Sequence, residues 1–338
     1  MTPFAALRRS PLPPGAGAAV MAIGIFGIAA LPELASGAAA LRQPLSLIVL
    51  ALWTILALAF IADWLQGHDP RHGPPMRRAA LGTWVAGTAV TAKLLQLGMP
   101  QWTPLAVALG VAALGLWLWY LPIAAGVVGT LLAAPAERTT GAILLVAVST
   151  QSIALLLTNL PSPPARIAAL ALVALGILFY GGGAALMLRS FLAAPRWRLT
   201  ADWDNANCIL HGAASITGLA CVLSRDVPGG VCLGLWAYTA VVFVLVEAVE
   251  LTRLAARVHA YGSGSGAFTY YASQWARNFT FGMFYAMTRN YLAAFGAPSI
   301  SAVAALQRAV AAGGPYIVLV LLLVEAGLLV AAWRAGEV

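Results

Sequence analysis

The sequence predicts an all-α integral membrane protein with ten transmembrane helices. Three observations carry that expectation. The 338 residues are 61% hydrophobic and 9% charged, with a mean hydropathy of +0.87, too few charges for a water-exposed domain of this size. Apolar runs of about twenty residues, the length that spans a bilayer core, recur along the chain, and the alternating pattern of a membrane barrel is absent. Every second run begins near 14, 77, 139, 205 and 270, an even spacing of 62 to 66 residues, as repeated helical hairpins would give.

The runs follow in order within a single membrane domain, 1–338. The first, Pro14–Leu31, follows a short basic tail with Arg8 and Arg9. It has no cleavage site and is expected to remain in the chain. Leu45–Leu65 ends in the polar loop GHDPRHGPPMRR. Arg77–Leu97 comes next, then Thr103–Leu132, interrupted by Pro122. Thr139–Asn159 and Ala165–Leu192 form the middle pair. The loop APRWRLTADWD leads to Asn205–Leu223, and Gly229–Val258 runs into the linker YGSGSG. The ninth span lies within Phe268–Tyr291, and the tenth is Ser299–Trp333.

Polar residues inside the runs favour the odd-numbered segments: Lys93 in the third, Ser149–Ser152 in the fifth, Asn207 and His211 in the seventh, Arg277 in the ninth. The even segments are longer and more uniformly apolar. Five polar-bearing helices inside five apolar ones is the simplest packing, because polar groups then avoid lipid. The net charge of +8 reports topology here. With the N-terminus cytoplasmic, twelve arginines fall inside, among them Arg138, Arg189, Arg196, Arg198 and Arg334, and five outside, Arg42, Arg166, Arg225, Arg289 and Arg308. That asymmetry predicts both termini in the cytoplasm.

The ninth segment carries the most chemistry. In a helix Gln274, Arg277, Phe281, Phe284 and Thr288 share one face. An arginine near the middle of a lipid-facing span costs roughly 2.5–3.5 kcal/mol on insertion scales. This face is therefore expected to look into the protein interior or a water-filled path, unless Arg277 snorkels to headgroups. On the seventh helix Asn207, His211, Ser215 and Gly218 share a face, either lining a path or bonding neighbouring helices. Of the run containing Thr150 and Gln151, at most two residues can face a pore, the others bonding backbone carbonyls. Gly17, Gly24 and Gly27 on the first helix, and Gly82 and Gly87 on the third, either widen a path or let helices approach.

Most acids, including Asp63, Glu137, Asp202, Asp204, Asp226 and Glu337, fall at helix ends or in loops. Glu247 and Glu250 lie near the inner end of the eighth helix, Arg253 within reach of Glu250, and Glu325 is deep in the tenth. Cations and hydroxyls without carboxylates on the odd helices favour anions over cations. Cys208, Cys221 and Cys232 have no metal spacing; they are free thiols, or Cys221 and Cys232 meet across one loop. His68, His72 and His259 lie in loops, so no intramembrane histidine pair stands ready for haem. No nucleophile–base pair or phosphate loop is present, so no cofactor, no metal and no enzymatic activity is expected. Nor does the basic balance call for nucleic acid.

Five stretches, each on an odd helix, resemble the tellurite-resistance/dicarboxylate transporter family, which includes slow-type anion channels and malic-acid transporters. They are PPGAGAAVMAIGIFG at 13–27, GTWVAGT at 82–88, STQSIALL at 149–156, NCILHGAASITGLA at 207–220 and QWARNFTFGMFYAMT at 274–288. The resemblance implies five helical hairpins with quasi-fivefold symmetry around a central pore lined by the odd helices. It also implies homotrimers, each subunit with its own pore, in the cell membrane, the inner membrane of a bacterium. Matching FTFG to the family pattern puts a pore-blocking phenylalanine at Phe281, or at Phe279 if the register shifts by two. The third, fifth and seventh segments lack the internal proline frequent in the family. On this reading the partners are small inorganic or organic anions and the bilayer. Arg277 and Lys93 raise the local potential, His211 replaces lost hydration, and a phenylalanine gates. The alternative is a proton-coupled carrier of malate-like dicarboxylates, or an efflux carrier for sulfite or tellurite-derived species, with His211 or Glu325 as the proton site.

Overall fold

A computed structural model describes residues 11–134, 138–158, 160–193 and 197–336. Arg8, Arg9, Glu137, Asn159, Arg196 and Glu337 lie outside the described residues. Twelve α-helices follow in order: α1 (Gly17–Ile25), α2 (Arg42–Leu65), α3 (Pro75–Ala79), α4 (Gly82–Gly98), α5 (Thr103–Ala133), α6 (Leu145–Leu157), α7 (Pro163–Ala193), α8 (Leu199–Asp202), α9 (Ile209–Ser224), α10 (Gly229–Ala267), α11 (Trp275–Phe295) and α12 (Ser301–Ala335). No strand occurs among the described residues. A wider turn, Phe26–Ala30, and a tight one, Leu31–Glu33, prolong α1.

Among the described residues, six helical stretches are long and apolar enough to cross a membrane: Ala38–Leu65, Pro100–Ala133, Pro163–Ala193, Asn205–Ser224, Gly229–Ala267 and Ser301–Ala335. Gly17–Glu33 and Gly141–Leu157 are apolar but shorter. The protein is thus an all-helical chain of the membrane type. Two layers separate by burial. In its apolar core stretch α9 is 89% buried, against 11% for the stretch ending in α2 and 17% for α12. Ile55, Leu58, Leu178, Val244 and Leu323 on the outer helices are all more than half exposed, a surface that water would disfavour and lipid covers.

The inner layer closes on itself. α1 packs on α4, α4 on α6, α6 on α9, α9 on α11, and α11 back on α1. Each seam has a glycine where a Cβ would collide: Gly24 with Val90 between α1 and α4, Gly82 with Leu145 Cβ at 2.9 Å between α4 and α6, Gly141 with the Ala206 carbonyl before α9, Gly212 with Thr280 between α9 and α11, and Gly282 with Ile25 Cγ2 at 2.7 Å between α11 and α1. Lipid gives helices no hydrophobic drive to associate, so close backbone approach through small residues supplies the packing.

A second device ties layer to layer. The Trp53 indole of α2 donates to Thr88 Oγ1 of α4 at 2.9 Å, Trp117 of α5 to Thr150 of α6 at 2.9 Å, and Trp236 of α10 to Thr288 of α11 at 2.8 Å. Each threonine in turn donates to the carbonyl four residues back, Trp84, Val146 and Phe284. Outside the apolar layer, Asp202 ties the approaches to α6 and α9. Its carboxyl accepts from the Arg198 N–H at 2.6 Å and faces Arg138. These contacts, the Arg198 N–H first, hold it below the usual carboxylate range.

Three boundaries differ from the sequence expectation. Pro122 does not interrupt its segment, because α5 runs through it unbroken. YGSGSG is not a simple linker: α10 continues past Val258 and breaks only at Gly262, whose φ of 77° suits glycine. The ninth span begins at Trp275, since Tyr271 is extended and Ala272–Gln274 form a single tight turn. Arg277 therefore sits in the first turn of α11 and not at mid-span. Cys208, Cys221 and Cys232 are buried free thiols.

Candidate functional site

Residues from all five inner helices meet in one cavity of about 300 Å³ at the C-terminal ends of those helices. Ile25 and Ile28 come from α1 and its extension, Ala89 and Lys93 from α4, Ser152 from α6, Ile216 from α9, and Met283, Ala286, Arg289 and Asn290 from α11. Lys93 donates to Gln96 Oε1 at 3.2 Å. Arg289 pairs with Glu33 at 2.5 Å, and Arg42 anchors nearby by donating to the Gly27 carbonyl at 3.2 Å. Lys93, Arg289, Ser152 and Asn290 give the cavity cationic and neutral polar lining, with no carboxylate among its described lining residues.

One turn towards the N-terminal ends the cavity stops. Stepping back three or four residues from its lining leads to Met21, Ala86, Val148, Ala213 and Phe279. Each is at most 2% exposed, and all belong to one apolar cluster. Phe279 is the bulkiest of the five. It shares a face of α11 with Met283, Ala286 and Asn290, three residues that line the cavity. Gly282, on one flank of that face, meets Ile25 of α1, and Thr280, on the other, meets Gly212 of α9. The face between those two seams looks along the axis of the inner layer.

The face selected by sequence, Gln274, Arg277, Phe281, Phe284 and Thr288, turns the other way, onto α10. Arg277 Nη2 lies 2.8 Å from Glu250 and its Nη1 3.9 Å from Glu247. Phe281 packs edge-on against Phe243 with centroids 4.7 Å apart, Phe284 stacks on Trp236 at 5.9 Å and on Phe243 at 5.0 Å, and Thr288 holds the Trp236 indole. Gln274 lines a different cavity, beside Glu325. The reason is charge pairing: a guanidinium in an apolar bundle goes where carboxylates are, and those are on α10.

The other expected residues sort in the same way. His211 is fully buried, its Nε2 3.3 Å from Glu247 and its ring 4.6 Å from Phe243. Ser215 donates to its own helix, at His211 O. Asn207 Oδ1 accepts from the Gly141 N–H at 2.9 Å and so joins α9 to α6. Thr150 is taken by Trp117, and Gln151 donates outward to Val173 O of α7 at 3.1 Å. Gly24 and Gly87 are contact points of α1 with α4. Of the residues expected on the path, Lys93 lines the axial cavity and Phe279 faces it from below; in the Ser149–Ser152 run it is Ser152 that lines it, in place of Thr150 and Gln151. Ile216, Met283, Arg289 and Asn290 were not expected on the path. Their signal was the seam glycines, which mark the contact faces of each helix and so the remaining face by subtraction.

A larger groove, of about 630 Å³, is almost wholly apolar and lies between α5, α6 and α7, lined by Leu121, Leu178 and Leu186 with Arg189 at its edge. Lipid chains suit it better than a charged solute does. The fold and cavity thus define a membrane-type helical bundle with a cavity shared by its five inner helices and lined by Lys93 and Arg289. No protein-family model and no curated protein matches the chain.

Proposed function

We propose that the protein passes small anions along the axis enclosed by α1, α4, α6, α9 and α11. The observation that carries this reading is the vestibule itself: one cavity reached by all five inner helices, lined by Lys93 and by Arg289, which Glu33 pairs, with no carboxylate among its described lining residues. Cations fixed in a low-dielectric funnel concentrate anions and repel cations. Phe279, with Met21 beside it in the buried layer, is the hydrophobic gate in this reading, since a dehydrated ion does not cross an apolar constriction unless the ring moves.

The reading extends to the whole assembly. Ten spans form five inner–outer hairpins with approximate fivefold symmetry, supported by the closed order of inner-helix contacts, the glycine in each seam and the repeated Trp–Thr bond. The resemblance to the tellurite-resistance/dicarboxylate transporter family points the same way, including a homotrimer in the cell membrane. The arginine asymmetry supports a reading with both termini in the cytoplasm and the vestibule on the outer side. The test is chloride efflux from liposomes containing wild type, Phe279→Ala and Phe281→Ala. Phe279→Ala should leak several-fold faster and keep preferring chloride to potassium. If neither variant leaks, or the leak carries potassium equally, the axial anion path is wrong. The same assay run with chloride, nitrate, sulfite and malate ranks the anions.

A further inference from the structure

A second cavity, of about 190 Å³, lies off the axis between α10, α12 and the start of α11. Its wall brings three carboxyls, Glu247, Glu250 and Glu325, to three guanidiniums, Arg253, Arg257 and Arg277. Most of these groups are engaged. Arg277 spans Glu250 and Glu247. Arg253 donates to Asn205 at 2.6 Å and to Glu250 at 3.5 Å, and the Trp203 indole adds a bond to Glu250 at 2.6 Å. Arg257 rests on the Tyr271 ring, 5.4 Å from its centroid.

Three buried polar atoms on this wall have no hydrogen-bond partner: Nε of Arg253, Nε of Arg277 and Oε1 of Glu325. Glu325 is only 4% exposed. Buried polar groups in native proteins are bonded, and each exception asks for a partner. An orphaned buried donor costs about 1–3 kcal/mol, and an unpaired buried carboxylate more. The two nitrogens need an acceptor. An ionised Glu325 would repel any anion that supplied one. A protonated Glu325 would donate its O–H to an anion, so an anion bound in this one cavity together with a proton is the ligand whose chemistry matches all three residues.

The charges agree. With Glu325 protonated, Arg253, Arg257 and Arg277 stand against Glu247 and Glu250, which leaves one positive charge in excess. The groups that set this balance are the two acids and two arginines of α10 and Arg277 of α11, with the Tyr270 phenol just before α11. Behind them, His211 of α9 contacts Glu247, and the Cys208 thiol lies within electrostatic range of Arg277. We propose that this cavity binds a small monovalent anion together with a proton carried by Glu325. The site is separate from the axial path and does not depend on it.

The test uses the full-length protein in weakly buffered detergent solution, with nitrate as the probe. Nitrate should raise the thermal midpoint in mildly acidic buffer, bind more weakly as pH rises, by up to about tenfold per unit if a single proton is linked, and draw protons from solution as it binds. Glu325→Gln, nearly isosteric and fixed in the neutral form, should bind nitrate with no proton uptake and no pH dependence. Arg257→Gln, at a position that holds no ion pair, should bind it several-fold more weakly. Binding by wild type without proton uptake overturns the proposal, as does no binding at any pH. Uptake that survives Glu325→Gln but is lost in Lys93→Gln also overturns it, and assigns the linked anion to the axial vestibule.

Discussion

The two faces of α11 differ in kind. The face towards α10 carries Arg277, Phe281, Phe284 and Thr288, every one tied to a named partner. The face towards the axis carries Phe279, Met283, Ala286 and Asn290. It reads as unremarkable apolar sequence, yet three of its members line the cavity shared by all five inner helices. The comparison teaches that in this bundle strong polarity marks where helices are fastened, because a buried charge must meet its counter-charge. The axial face of α11 has no such counter-charge to meet over Phe279, Met283 and Ala286, and is mostly apolar there.

The largest expected effect separates the two faces directly. Arg277→Gln takes from Glu247 its arginine and from Glu250 the nearer of its two, leaving Glu250 with Arg253 at 3.5 Å, and breaking a buried pair from one side costs up to about 3–5 kcal/mol. Expression and thermal midpoint should drop together, and Glu250→Gln in the same chain should recover part of the loss. A well-folded Arg277→Gln protein with altered anion selectivity would return Arg277 to the conduction path. Phe281→Ala belongs with it: Phe281 is partly buried against Phe243 and His211, so its loss should lower the thermal midpoint, by less than the about 3–5 kcal/mol of a fully buried phenylalanine, with efflux unchanged. Phe279→Ala, on the opposite face, should raise efflux.

Next in size is the seam between the two faces. Gly212 of α9 admits no Cβ against Thr280, so Gly212→Val should overpack the contact at a cost of about 1–3 kcal/mol, read in the thermal midpoint. A neutral result would mean that the inner layer has slack. Lys93→Gln is smaller again. Lys93 should act through the potential of the vestibule, so anion efflux should fall by a small factor, more at low salt than at high salt. No salt dependence would remove Lys93 from the path.

Much of the architecture was legible because it rests on composition and period. Apolar runs, their even spacing and the concentration of polar residues on alternate segments all follow from the need to keep polar groups out of lipid. The site was less legible, for a physical reason visible at Arg277. A helical face can be read from spacing, but its direction in a bundle depends on the partner's residues. Glu247 and Glu250 sit some thirty residues earlier in the chain, and only packing brings them alongside. The start of α11 misled as well: Phe268–Tyr271 is apolar enough to join a span, yet Tyr271 is extended. Thr150 and Thr288 looked like pore hydroxyls because the tryptophans that hold them lie on other segments.

Those Trp–Thr bonds allow the finest division between fastening and conduction. Trp117 is 8% and Trp236 1% exposed, so each N–H is shielded from water and needs its threonine. Trp→Phe removes the donor along with the bond. The threonine still donates to its own helix at Val146 O or Phe284 O, so no buried donor is orphaned and the loss should be about 0.5–1.5 kcal/mol. Thr→Val removes the acceptor and strands the indole N–H in an apolar layer, which should cost about 1–3 kcal/mol. Thr150→Val and Thr288→Val should therefore lower the thermal midpoint more than Trp117→Phe and Trp236→Phe, although they delete fewer atoms. Anion efflux should be the same in all four. The reverse order of midpoints would mean that ring packing, and not the hydrogen bond, joins the layers. A change of efflux in the Thr288 variant alone would show that the α10 face of α11 reaches the path after all.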